Sequence, residues 1–202
     1  MIKNKKIKAN AYILIGGNSR RFGSPKWRKE INGKTILDHI WNCCEKFQSR
    51  YVIGKDKLVN FDYRYLSDNL KIQSPIIGLN TALNHSKTKW NLILSCDMPL
   101  INSDILERIF KKAENKYDAI IPYVNNKHQY VCALYNKSCM AALESCIISG
   151  SYSFQNFVNK IKVLIKFFNV KASFFFRNSI FFLKDIINVC FRKIFSSNFF
   201  LL

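Results

Sequence analysis

The chain is short of acid: 13 Asp+Glu stand against 32 Lys+Arg in 202 residues, a formal net charge of +19. That imbalance leaves three classes of partner open, namely nucleic acid, an anionic membrane surface or small polyanionic phosphates. No basic helix or aromatic RNA-binding signature accompanies the charge, so no nucleic-acid partner is expected. No CxxC pair occurs, and the seven cysteines (43, 44, 96, 132, 139, 146 and 190) are odd in number. This excludes a closed disulfide set and points to reduced thiols in a cytoplasmic protein. Cys132, Cys139 and Cys146 recur every seven residues without zinc-like neighbours, and are read as packing residues. There is no uncharged run of the roughly 18 residues that a membrane span needs, so stable membrane insertion is not expected. The apolar run after the basic start is too short for a signal segment. His39, His85 and His128 lack triad or metal spacing, and are read as surface or helix-packing residues.

What is present is a chain 49% apolar, long enough for one well-buried domain. Residues 11–15 (AYILI) form a β-prone run that stops at Gly16-Gly17, and a polar loop from Asn18 to Lys29 follows. A helix is predicted over 35–48 with Thr35 as N-cap, then a strand at Tyr51–Ile53 and a short helix over 77–85. Residues 90–95 (WNLILS) read as a strand buried on both faces, with Asp97 just past its end. Asn102 or Ser103 caps a helix through Lys112, and Ala119–Val124 gives another strand. Strand and helix alternate, which predicts an α/β, Rossmann-like, mainly parallel sheet with helices on both faces. In such sheets ligands sit beyond the carboxyl ends of the strands, so Gly16-Gly17 and Asp97 fall on one rim. Residues 1–170 are read as a single domain. Residues 171–202 are read as an atypical basic tail rich in phenylalanine, since 13 of 17 phenylalanines lie after residue 150.

Nucleoside triphosphate chemistry needs backbone N–H groups close to phosphate oxygens, a fixed cation and a metal-binding carboxylate. The segment ILIGGNSRRFGSPK (13–26) offers glycines at 16, 17 and 23 for close backbone approach, with Arg20, Arg21 and Lys26 as cations. Its spacing is neither Walker A nor GxGxxG, so a different phosphate loop is implied. In LSCDMPL (94–100) a buried strand delivers Asp97 to the rim, and a lone carboxylate there suits a divalent metal bridging phosphates.

The first segment resembles the LAGGxSxRMGxxK signature of the molybdopterin and sugar nucleotidyltransferases, with Leu14, Gly16, Gly17, Ser19, Arg21, Gly23 and Lys26 in register. Ile15 and Phe22 replace the usual Ala and Met. LSCDMPL resembles the CDMP motif of the molybdenum cofactor guanylyltransferases, and the Gly16-Gly17 pair resembles their branch. SDNLKIQSPIIGLNTAL (67–83) is similar to the family's D…GPLxGI segment, and IPYVNNKHQYVCALY (121–135) to its acceptor-side segment.

The resemblance implies a nucleotide-diphospho-sugar transferase-like fold and transfer of GMP from GTP to molybdopterin with Mg²⁺, by a monomer. It places Leu14, Ile15, Gly16, Gly17, Arg21, Lys26, Asp68 and Asp97 at the nucleotide. Lys26 and Asp97 would be catalytic, Asp97 the Mg²⁺ ligand and Gln129 on the acceptor side. It covers about residues 10–170. A cytidylyl- or sugar-phosphate nucleotidyltransferase on the same scaffold, or a non-catalytic basic binding protein, stays open from sequence.

Overall fold

The structure is a computed structural model that describes residues 6–16, 25–55, 61–68, 70 and 72–167. The elements in order are β1 (Ile7–Leu14), a 3₁₀ turn (Lys26–Arg28), β2 (Glu30–Ile31), β3 (Lys34–Thr35), α1 (Ile36–Cys43), β4 (Phe47–Gly54), β5 (Tyr65–Ser67) and α2 (Pro75–His85). There follow β6 (Trp90–Ser95), α3 (Ser103–Phe110), β7 (Ala119–Val124), β8 (Lys127–His128), β9 (Cys132–Asn136), a 3₁₀ turn (Lys137–Cys139), α4 (Met140–Ile148), α5 (Phe154–Val158) and β10 (Val163–Phe167).

One sheet in the order β10-β7-β9-β6-β1-β4-β5 carries the molecule, with β8 paired to β7. β1 lies at its centre, parallel to β4 on one side and β6 on the other. Alternation along β1 sends Ala9, Ala11 and Ile13 into one core and Tyr12 and Leu14 into the other. The first core is closed by Ile36, Leu37 and Ile40 of α1 and Ile105, Leu106 and Ile109 of α3. The second is closed by Ile76, Ile77, Leu79, Ala82 and Leu83 of α2, Leu143 and Cys146 of α4 and Phe157 of α5. The expected mainly parallel sheet with helices on both faces is therefore present. Cys132, Cys139 and Cys146 lie buried in these cores as packing residues. No described helix is long and apolar enough to cross a membrane.

Departures from the sequence reading have local causes. The helix predicted over 35–48 ends at Cys43, because Phe47 pairs beside Ile7 and opens β4. Sheet pairing also extends β1 back to Ile7, past the polar Lys8 and Asn10 that break its apolar run. β9 runs antiparallel to both neighbours. The chain reverses through Asn125 and Asn126, whose φ angles of 48° and 57° suit a tight turn, so no crossover helix is needed. The β2–β3 hairpin turns on Asn32 (φ 51°) and Gly33 (φ 73°) in the same way. Thr35 caps α1 in a capping box with Asp38, and Asn102 caps α3. The tail over 171–202 lies outside the described residues.

Candidate functional site

The rim at the carboxyl ends of β1, β4, β5 and β6 gathers most of the predicted residues that are described. Neighbouring strand ends are laced by the main chain: Ile15 N–H donates to Ile53 O at 2.9 Å, Cys96 N–H to Leu14 O at 3.0 Å, and Asp68 N–H to Gly54 O at 2.8 Å. Gly16, Asp97 and Asp68 thus leave adjacent strands on one side of the sheet. Gly17 and Arg21 lie outside the described residues.

Leu14 and Ile15 shape the floor of this rim. Leu14 is buried, and a Cβ on Gly78 of α2 would stand 2.8 Å from its Cδ2, so the absent side chain lets α2 approach β1. Gly54 gives the same room to Ile15 and Tyr65. At Gly16 a Cβ would meet nothing within 4 Å among the described residues. Its missing side chain therefore clears no protein neighbour there and leaves the backbone accessible to a ligand.

Asp97 is half-buried, with its Oδ1 shielded from solvent. The flanking Met98 and Ile101 are buried, and Ile101 N–H closes the turn on Met98 O at 3.2 Å. From α1, His39 Nε2 donates to Ile101 O at 2.9 Å and Cys43 Sγ to the same oxygen at 3.2 Å. His39 is thus a packing histidine with a definite task, fixing the segment that follows Asp97.

Lys26 opens the 3₁₀ turn after the glycine-rich segment. Its charge and that of Asp97 both reach the Cys96 thiol. Burial pushes that thiol up to about 12, the Asp97 carboxylate adds to the rise, and the Lys26 ammonium opposes it.

Asp68 is buried at the end of β5, and its Oδ2 is ion-paired with Lys55 Nζ at 3.4 Å. Lys55 also donates to Leu70 O. The sequence reading leaves Lys55 without a role; its signal is its place directly after β4, the rim position that Gly16 and Asp97 hold on their own strands.

Gln129 stands on the same rim because the antiparallel β9 begins where β6 ends, with Ser95 N–H donating to Val131 O at 2.8 Å. Its side-chain amide turns back to Lys127 O at 3.3 Å. His128 and Tyr130 stack at 5.6 Å, and Tyr130 stacks on Phe154 at 5.5 Å, which stiffens this side of the rim.

Among the described residues no group of three His, Cys, Asp or Glu could enclose a metal. A hard divalent ion at Asp97 would need ligands beyond a protein cluster, which magnesium commonly finds in phosphate and water. Open backbone at Gly16 and a cation at Lys26 suit a polyanion, while the Asp97 carboxylate suits a divalent cation that would accompany it.

The sequence signature of the MobA-like NTP transferase domain matches residues 11–162. A protein of Clostridium perfringens named molybdenum cofactor guanylyltransferase is 30% identical over 148 residues, 72% of this chain and 74% of its own. One of the same name from Aquifex aeolicus is 30% identical over 144 residues, 70% of each chain. The crystal structure of molybdopterin-guanine dinucleotide biosynthesis protein A from Archaeoglobus fulgidus superposes with a TM-score of 0.68 at 23% identity, over 78% of this chain and 83% of that one. A 2-C-methyl-D-erythritol 4-phosphate cytidylyltransferase from Thermus thermophilus shares the fold at a TM-score of 0.60 and 11% identity, over 81% and 90% of the two chains.

Proposed function

The chain belongs to the MobA-like NTP transferase domain family, and from that premise we propose that it transfers GMP from GTP to the terminal phosphate of molybdopterin, releasing pyrophosphate. The observation that carries this reading is the main-chain bond from Cys96 N–H to Leu14 O, which sets Gly16 and Asp97 side by side on one rim with open space around Gly16. The names of the relatives from Clostridium perfringens and Aquifex aeolicus support guanylyl transfer.

In the proposed reaction an oxygen of the acceptor phosphate attacks the α-phosphorus of GTP. A new phosphoanhydride bond forms as the bond from the α-phosphorus to the bridging oxygen breaks, and pyrophosphate leaves with its electron pair. The acceptor oxygen is already ionised at neutral pH, so no general base is required. Lys26 and the main chain at Gly16 would hold the triphosphate and offset the charge that builds on the leaving group. Asp97 would hold Mg²⁺, which when bound supplies further neutralisation of the phosphates. Asp68, held by Lys55, would meet the nucleoside end, and Gln129 marks the acceptor side. The chain would act as a cytoplasmic monomer with one such site.

Calorimetry with GTP and CTP, each with and without Mg²⁺, tests the reading. Tight, Mg²⁺-dependent and GTP-selective binding is expected, followed by pyrophosphate release when molybdopterin is added. Preference for CTP would reassign the base to a cytidylyltransferase, and absence of any nucleotide binding would overturn nucleotidyl transfer altogether.

A further inference from the structure

The opposite rim of the sheet, where the parallel strands begin, carries a row of cations. Six adjacent strands each bring a basic residue there: Lys162 before β10, Lys116 before β7, Lys137 after the antiparallel β9, Lys89 before β6, Lys8 in β1 and Lys46 before β4. Main-chain bonds show that these ends lie side by side. Asp118 N–H donates to Lys162 O at 2.7 Å, Lys137 N–H to Lys89 O at 2.8 Å, and Ile7 N–H to Lys46 O at 2.8 Å. All six side chains are exposed. At about 4.8 Å per strand the row spans roughly 24 Å. Exposed Lys6 joins it before β1, Lys87 at the end of α2, and Lys111 and Lys112 at the end of α3, so the row widens to both helical faces. The acids present do not cancel it. Glu107 pairs with Lys46 at 2.6 Å and Glu114 with Lys116 at 2.8 Å, while Asp118 accepts from Ser138 and from the Lys162 main chain. Glu45, Asp104, whose charge reaches Lys46, and Glu144 on α4 are the other acids on this side, against ten lysines. No ion pair among the described residues holds Lys8, Lys89 or Lys162.

We propose that this rim is a docking surface for the anionic headgroups of a lipid bilayer, which it would meet without insertion and with the catalytic rim turned away. Two features favour a charged surface over a nucleic acid. The six rim cations are all lysines, compact point charges without the forked geometry of arginine that grips single phosphates. Of the aromatic residues at these strand ends, Phe47 and Trp90 are buried, and half-buried Tyr117 has the Lys116 ammonium over its ring at 5.0 Å, so little ring surface is offered to a base. Sheet twist spreads the cations over the face instead of aligning them along a strand. Such a surface acts at long range and is screened by salt.

Flotation of the full chain with neutral and with phosphatidylglycerol-containing vesicles, at low and high salt, tests this. Each basic residue near an anionic leaflet multiplies the partition coefficient by about five. The triple change Lys8→Glu, Lys89→Glu and Lys162→Glu is therefore expected to lower partitioning about 100-fold or more. A control with Lys34→Glu, Lys127→Glu and Lys166→Glu makes the same change in net charge away from this rim and should retain most of the binding. If the Glu triple fails to fold by thermal melting, the Lys→Gln triple at the same positions replaces it and should show a smaller loss in the same direction. Equal losses in rim and control variants, or equal binding to neutral vesicles, would overturn the proposal. Tighter binding to a nucleic-acid duplex than to anionic vesicles, lost in the rim variant, would transfer the surface to nucleic acid and equally overturn it.

Discussion

The main-chain N–H of Cys96 lies 3.0 Å from the carbonyl oxygen of Leu14, so the residue before Asp97 is tied to the last residue of β1. That bond joins the two sequence segments to which the proposed chemistry is assigned, because β1 runs toward the glycine-rich segment and β6 leads to Asp97.

Asp97→Asn keeps the shape of the side chain and removes its charge. Turnover is expected to fall by about 10²-fold or more. The melting temperature should stay near that of the parent, since the group sits past the end of β6 and outside both cores. A variant of full activity in a pyrophosphate-release assay would remove Asp97 from the mechanism.

Gly78→Ala tests how the floor of the rim is held. The new methyl would stand 2.8 Å from Leu14 Cδ2 and 3.1 Å from Cδ1, and Leu14 is buried, so it must move. Overpacking costs about 1–3 kcal/mol, while replacing a helical glycine returns about 1 kcal/mol. The net loss in chemical denaturation should therefore be small, about 0–2 kcal/mol. A displaced Leu14 pulls on Cys96 through the bond above, so turnover should fall several-fold more than stability explains. Unchanged turnover would show that β1 and the Asp97 turn are not mechanically linked.

The start of α1 should be acid-labile. The Thr35 hydroxyl bonds the Asp38 carboxylate at 2.6 Å, and Tyr63 also donates to it, which together lower its pKa. A lowered carboxylate contributes stability above its unfolded value of about 3.9 and loses it as pH falls through the folded value. Asp38→Asn should flatten that acid limb in melts taken between neutral pH and pH ~3, and Thr35→Ala should cost about 1 kcal/mol at neutral pH. An acid limb identical to the parent's in Asp38→Asn would rule out this source.

We propose that residues 1–170 form the folding unit. A chain ending at Val170 should then unfold as cooperatively as the full chain, with the same denaturant dependence. A broadened transition would make the last 32 residues part of the structure.

Much of this was legible in the sequence where one local signal dominated. The apolar run 90–95 gave β6 with the bounds predicted, and Thr35 and Asn102 announced their helices by capping chemistry. Legibility failed where pairing partners decide. Lys8 and Asn10 look unlike strand residues and belong to β1 because β4 and β6 flank them. β5 lies in a tyrosine-rich stretch that gives no alternation, and its existence rests on pairing with Val52, Ile53 and Gly54. The β2–β3 hairpin did have a signal, the Asn32-Gly33 pair. At the site, Asp97 follows from a strand end, Lys26 from the glycine-rich segment and Asp68 from the family resemblance, whereas Lys55 and His39 act through contacts at 13 and 62 residues' separation that no spacing rule encodes.

The reversed direction of β9 divides labour on the catalytic rim. Gly16, Asp68 and Asp97, the proposed nucleotide-side residues, follow parallel strands locked to their neighbours, whereas Gln129, the proposed acceptor-side residue, arrives in the hairpin that precedes a strand running the other way. That hairpin can lengthen, shorten or change composition without altering the register of β1 or β6. A fold wired like this can exchange one acceptor for another over time while its triphosphate chemistry stays in place.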